Sequence, residues 1–313
     1  MQKKDGRKSR NFSIFLYFHA IIISQIIRIL KKGKKMRKDG RLIKTLDPMY
    51  KLISHIMAER SDSMNMIELT VLQDPIRKYM RKKKEEGYTF SHLSVILAAF
   101  VRTIADYPFL NRFVVNKRTY ARNEVAIGMV VLKPGETDGT MNKMFFDPSN
   151  TIYDIQKIFD EYVERNRGDG LTNSTDKLMA FLLSIPGLAR FGVNLIKFLD
   201  KHNMLPKAVI NASPFHCTMT ITNLASIGTN YIFHHVYNFG TTSMIMAMGN
   251  TREDPVKRHG EIVFDKVIPI GFVMDERIGS GAQFAQACKR LQYYLQNPEL
   301  LEQPPEEVKQ DIK

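Results

Sequence analysis

The chain has 313 residues, 44% hydrophobic and 25% charged, an ordinary composition for a soluble globular protein of one large domain or two small ones. Its net charge of +14 suggests nucleic acid, but residues 1–35 hold ten Lys and Arg against Asp5 alone, so only +5 remains elsewhere and nucleic-acid binding is discounted. Two cysteines, Cys217 and Cys288, give neither metal-ligand spacing nor a disulfide framework, and read as buried thiols in a reducing, cytoplasmic compartment.

Residues 1–35 form a basic and apolar tail. Its apolar run, Phe12 to Leu30, is near the lower length limit for a membrane span and contains His19, Gln25 and Arg28. Three readings stay open: a membrane-associated tail, a disordered basic tail, or residues outside the native protein. The third rests on Lys32-Gly33-Lys34-Lys35 before Met36, whose codons would read much like a bacterial ribosome-binding site. Translation is then expected to start at Met36. Intact mass of the natively expressed protein decides it: a mass that includes residues 1–35 refutes that start.

Beyond Met36, Lys38-Asp39-Gly40-Arg41 reads as a turn. Asp47-Pro48 opens a helix through Glu59, with Met49, Leu52, Ile53, Ile56 and Met57 at helical spacing. Met64 to Leu72 alternates as a strand. Asp74-Pro75 predicts a helix start with Asp74 as N-cap, and Gly87 its C-cap. The basic run Lys82-Lys83-Lys84 suits the negative end of that helix and reads as a solvated face. Ser91 caps a core helix carrying Leu93, Ile96, Leu97, Phe100, Val101 and Ile104. After Pro108-Phe109-Leu110-Asn111, strands are expected from Val114 to Tyr120 and from Val125 to Leu132 around a basic turn. Pro134 to Asn142 reads as a loop, and Thr151 to Arg165 as an amphipathic helix with Ile152, Ile155, Ile158, Phe159 and Tyr162 inward.

An apolar helical stretch from Asp176 to His202, broken at Pro186-Gly187, predicts a helical hairpin within residues 166–213. It packs on the core or a neighbouring subunit, or it lies on a membrane surface or lines an acyl site. Met219 to Leu224 and Ser243 to Gly249 are strands. Val267 to Met274 is an apolar strand ending in the polar knot Asp275-Glu276-Arg277-Ile278-Gly279-Ser280-Gly281. A long amphipathic helix, Ala282 to Gln296, closes at Asn297-Pro298. Residues 302–313 form a polar C-terminal tail.

The order of these segments resembles the catalytic domain of the 2-oxoacid dehydrogenase acyltransferases, of chloramphenicol acetyltransferase-like fold. Pro108-Phe109-Leu110-Asn111, Met219-Thr220-Ile221-Thr222-Asn223-Leu224 and the final knot carry the likeness. The family knot reads Asp-His-Arg-x-x-Asp-Gly. Asp275, Arg277 and Gly281 match it, while Glu276 stands at the catalytic His and Ser280 at the Asp. The resemblance spans about Asp47 to Leu301, with residues 166–213 as a helical insertion. It implies an α/β fold, a mixed sheet flanked by helices, with residues 36–301 as one acyltransferase-like domain in a homotrimer whose active sites lie between subunits. It also implies coenzyme A or acyl-coenzyme A as cofactor and an acyl carrier or small molecule as acceptor, with no metal.

Acyl transfer between thiols needs a base for the thiol proton and a donor for the oxyanion. By resemblance, Thr222 supplies the hydroxyl for the oxyanion. Glu276 is either the base or a structural hydrogen-bond anchor. A carboxylate near pKa ~4.3 is mismatched to a thiol near ~8.5 by roughly four units. Ser280 occupies the remaining motif position. His234, His235 and His216 are weighed as substitute bases, His235 first, against structural or interface roles. Other classes fail: Gly168-Asp169-Gly170 lacks the rest of a phosphate loop, and Gly279-Ser280-Gly281 lacks the spacing of a nucleophile elbow. The chain has no room for lipoyl domains, and Asp176-Lys177 sits in a helical pattern. Membrane contact is expected only through residues 11–30 or the 176–202 hairpin. Two functions stay open: a coenzyme A-dependent acyltransferase with a degenerate site, or an inactive relative acting as a structural or binding subunit.

Overall fold

In the computed structural model, residues 37–132, 139–167 and 188–313 are described. The tail, the first arm of the expected hairpin and Asp176-Lys177 lie outside them. The rest folds as one unit running from Arg37 to Lys313.

The longest strand organises that unit. Strands in chain order are β1 (Gly40–Leu42), β2 (Met64–Leu72), β3 (Arg112–Val115), β4 (Arg118–Arg122), β5 (Val125–Leu132), β6 (Gly139–Phe146), β7 (Met219–Asn223), β8 (Met244–Met248), β9 (Arg252–Arg258) and β10 (Glu261–Asp275). Along one edge, β10 pairs antiparallel with β2 from Val267 to Asp275; along the other it takes β8 and then β9. The main sheet runs β2-β10-β8-β7-β5-β6, with β9 on β10. Only β5–β7 and β7–β8 are parallel, so the sheet is mixed, as expected. A small second sheet, β1-β4-β3, turns at Asn116 and Lys117, both at positive φ. That tight turn splits the expected Val114–Tyr120 strand into a hairpin.

The described helices are α1 (Pro48–Ile56), α2 (Gln73–Glu85), α3 (His92–Asp106), α4 (Ile152–Arg167), α5 (Leu188–Lys201), α6 (Lys207–Ala212) and α7 (Gly281–Gln296). Alternation along β10 sends Ile268, Ile270, Phe272 and Met274 into the main core beneath α3 and α7. Phe100 of α3 meets Phe272 edge-on at 6.2 Å. α3 is buried from Leu93 to Ala105, and Ser91 with Ser94 forms its capping box.

Several expectations are corrected. α2 begins one residue before Asp74, so Leu72 is the N-cap and no side chain caps the helix. Asp74 instead pairs with Lys78 one turn on. The helix closes at Glu86, with Gly87 following at φ +90°. Lys83 is no part of a solvated face: it is buried and bonds Glu86 at 2.7 Å and Glu302 at 2.8 Å. Residues 139–142, expected in a loop, begin strand β6, and β9 was not anticipated. Polar side chains at Thr140, Asn142 and Lys143 hid the first; the charged run Arg252-Glu253-Asp254 hid the second. The C-terminal tail is docked: Asp311 pairs with Arg112 at 2.6 Å, and Lys309 N–H donates to Ala105 C=O. Among the described residues, no helix is long and apolar enough to cross a membrane.

Candidate functional site

The knot follows directly from the end of β10. Asp275 is fully buried and caps the turn Glu276–Ile278 by accepting from Arg277 N–H at 3.1 Å. Arg277 returns a two-pronged pair, Nε to Oδ1 at 2.8 Å and Nη2 to Oδ2 at 2.7 Å. Ser63 Oγ donates to Oδ1 at 2.9 Å, and Arg277 Nη1 donates to Met57 C=O at 3.2 Å. These bonds fix the knot to the α1–β2 connection. Asp275 and Arg277 are therefore occupied by the fold.

Glu276, between them, is partly exposed, and its carboxylate has no hydrogen bond or ion pair among the described residues. Ser280 is the N-cap of α7: its Oγ accepts from Gln283 N–H at 3.1 Å, and Gln283 Oε1 accepts from Ser280 N–H at 2.9 Å. Its side chain completes a helix terminus.

Thr222 lies on β7. Met219 and Ile221 point into the main core, so Thr222 points to the opposite face, where it is partly exposed and its hydroxyl has no partner among the described residues. In register, Thr222 pairs with Ala247 and Ala247 with Gly271. Thr222 is thus two strands across from β10 and five residues short of Glu276 along it. With strands ~4.8 Å apart and ~3.3 Å per residue, the two side chains of one chain are roughly 19 Å apart. They cannot act on one atom within one chain.

The same face carries the segment with His234 and His235. It crosses the sheet where Gly249 and Gly271 leave room: a Cβ at Gly249 would lie 2.3 Å from Tyr231 N, and one at Gly271 would lie 2.4 Å from Ile232 O. Val236 packs beneath it with Ile245 and Val273. His235 is exposed, stacked on His234 at 4.8 Å and edge-on to Tyr237 at 4.9 Å. It lies on the same face as Thr222, with no carboxylate among the described residues bonded to its ring.

His216 is in a different setting. It is buried, with Nδ1 in a 2.7 Å hydrogen bond with Ser213 Oγ and Nε2 3.6 Å from Asp200 Oδ2. Burial pushes the imidazole below its ordinary range, against the opposing pull of Asp200. Burial pushes the Asp200 carboxyl up, but His216 and Arg37 more than offset this and hold it down. Arg37 Nη2 donates to Asp200 Oδ1 at 2.7 Å and also reaches Asp39, so α5 of the insertion is tied to the start of the described chain. His216 and Asp200 border a cavity of about 410 Å³ that also touches Arg60, Asn238 and Arg277. Sequence reasoning missed Asp200, Arg37 and Arg60: Arg37 and Asp200 are 163 positions apart, and no local pattern connects them.

Residues 215–302 match the family model for 2-oxoacid dehydrogenases acyltransferase (catalytic domain). Among solved structures, a probable dihydrolipoamide acetyltransferase from Listeria monocytogenes 4b F2365 matches at TM-score 0.53 and 15% identity, over 85% of this chain and 95% of that one. The fold is that of the chloramphenicol acetyltransferase-like acyltransferases. A chloramphenicol acetyltransferase itself aligns at TM-score 0.51 and 11% identity, over 82% of this chain and 99% of its own. The dihydrolipoamide acetyltransferase of Azotobacter vinelandii aligns at TM-score 0.51 and 14% identity, over 87% of this chain and 95% of its own. That structure addressed the roles of a serine, a histidine and an asparagine in the enzyme's catalytic mechanism, the last two four positions apart. Glu276 and Ser280 have the same separation. No curated protein matches the sequence. The resemblance read from the sequence and the expected fold class are both borne out, at low identity.

Proposed function

We propose that this chain is a coenzyme A-dependent acyltransferase of the 2-oxoacid dehydrogenase type with a degenerate active site, assembled between the subunits of a homotrimer. The observation that carries this reading is the pair of unpartnered polar side chains, Thr222 and Glu276, roughly 19 Å apart in one chain. Both stand at motif positions, and both are left without internal bonds while Asp275, Arg277 and Ser280 are consumed by the fold. A second copy is needed to bring one Thr222 to another Glu276. Exposed apolar side chains support such assembly: Met49, Leu52 and Ile56 along α1, and Ile262 and Phe264 on the β9–β10 hairpin, are 52–72% exposed.

When bound, coenzyme A supplies the thioester or the free thiol. The residues fit that group at one end: the Thr222 hydroxyl is free to donate to a developing oxyanion. At the other end, Glu276 accepts a thiol proton only weakly, because a carboxylate is a far weaker base than a thiolate. The expected turnover is therefore slow. The acceptor is an acyl carrier or a small molecule, and the chain works in the cytoplasm of a bacterium. A second reading, a catalytically inactive structural or binding subunit, is favoured by two observations: no imidazole stands in the knot, and His235 has no orienting carboxylate among the described residues.

Calorimetric titration of coenzyme A and acetyl-coenzyme A, with a thiol-release assay, tests the proposal. Binding with slow thiol release, abolished in Thr222→Ala and raised at least tenfold in Glu276→His, is the expected result. No binding by the folded trimer refutes the acyltransferase reading and leaves the structural one. Loss of turnover in His235→Ala but not in Glu276→Gln moves the base to His235.

A further inference from the structure

Arg60 is a buried cation without an ion-pair partner among the described residues. It is 7% exposed and lines the 410 Å³ cavity beside the knot. Its Nη2 donates to Val114 C=O at 3.1 Å and its Nη1 reaches Tyr237 C=O at 3.4 Å, but Nε has no partner. No carboxylate among the described residues pairs with it within ion-pair distance. Burial pushes its guanidinium down to about 10, against the longer-range pull of Asp275, and it stays protonated at neutral pH. An unpaired buried charge is costly, and native structures keep one chiefly where something else supplies the partner.

The rest of the lining fixes the sign of the missing partner. Asp200 is taken by Arg37 and Arg277 by Asp275, so neither carries free charge into the cavity. Lys117, Lys197 and Lys201 stand exposed at its rim, without acidic partners among the described residues. Against these and Arg60 there is only Glu59, whose carboxylate accepts from Asn238 Nδ2 at 2.8 Å. The surplus is three positive charges. A polyvalent anion matches that better than a monocarboxylate, and the volume is in the range of ligand pockets rather than of a single trapped ion.

We infer that this cavity is a binding site for a phosphate-bearing ligand, with Arg60 as the buried anion receptor and the three rim lysines as its electrostatic funnel. The site does not depend on acyl transfer: neither Thr222 nor Glu276 lines it.

Inorganic pyrophosphate titrated into the full-length protein is the test, with acetate as the monocarboxylate control. Saturable binding of one pyrophosphate per chain is expected, weakened several-fold when salt is raised from about 50 to about 300 mM, with no saturable acetate binding. Arg60→Gln should weaken pyrophosphate binding at least tenfold without lowering the melting temperature in anion-free buffer. The exposed double variant K197E/K201E should weaken it comparably, and it decides the matter if Arg60→Gln does not fold. Absence of saturable binding, wild-type affinity in either variant, or equal binding of acetate overturns the inference. Displacement of pyrophosphate by coenzyme A but not by pantetheine would place the phosphates on the acyl carrier; displacement by neither would place them on a separate ligand.

Discussion

Asp275→Asn is the sharpest probe of how the knot is held. The substitution keeps volume and removes one charge. In the native fold Asp275 is fully buried and accepts three bonds from Arg277 and one from Ser63. Asparagine retains one acceptor oxygen and turns its amide hydrogens toward Arg277 Nη2 or Nε, so the buried guanidinium loses its counter-charge. Breaking a buried pair from one side costs about 3–5 kcal/mol. For a unit of this size each kcal/mol lowers the melting temperature by about 2–4 °C, so a loss of about 6–20 °C is expected. Thermal and urea unfolding followed by circular dichroism measure it, with Glu276→Gln as the neighbouring control, expected within about 0.5 kcal/mol of wild type. A loss below about 1 kcal/mol in Asp275→Asn would refute the view that this pair holds the knot.

Three further outcomes are expected. Lys143 is buried, donates to Ile210 and His216 carbonyls, and is pushed by burial to about 8. Between that value and the ordinary lysine range the unfolded chain binds more protons than the folded one, so stability rises with pH across about 8 to 10, by about 1.4 kcal/mol per unit at most; urea midpoints should show this rise in wild type and not in Lys143→Met, and equal slopes would count against it. Gly271→Ala sets a Cβ against Ile232 C=O at 2.4 Å, so the 229–239 segment must lift from the sheet at a cost of about 1–3 kcal/mol, read as faster hydrogen exchange in that segment. Ser280→Ala removes the α7 cap and should cost about 1 kcal/mol, while thiol release, if present, stays within about twofold of wild type; a large loss of turnover at unchanged stability would give Ser280 a chemical role.

Much of the fold was legible because its elements announce themselves locally. Ser91 before an apolar run, the partial alternation in Met64 to Leu72, and the apolar strand Val267 to Met274 ending in a polar turn each carry their structure in a few neighbouring residues. β6 and β9 were not legible, because a strand with one face or edge in water need not be apolar. The candidate site was half legible: the knot could be found, but not which of its members the fold would use up.

The sequence alone determined the order of elements and the charged knot, since these depend on residue identity and spacing. Only the tertiary structure decided that Asp275, Arg277 and Ser280 are tied into the scaffold while Thr222 and Glu276 have no partner among the described residues and are far apart. It also brought Arg37, Asp200 and His216 together, and it left Arg60 buried without an ion-paired acid among the described residues. Those facts depend on partners up to 220 positions away, the separation of Met57 and Arg277, and local periodicity carries no information across such distances.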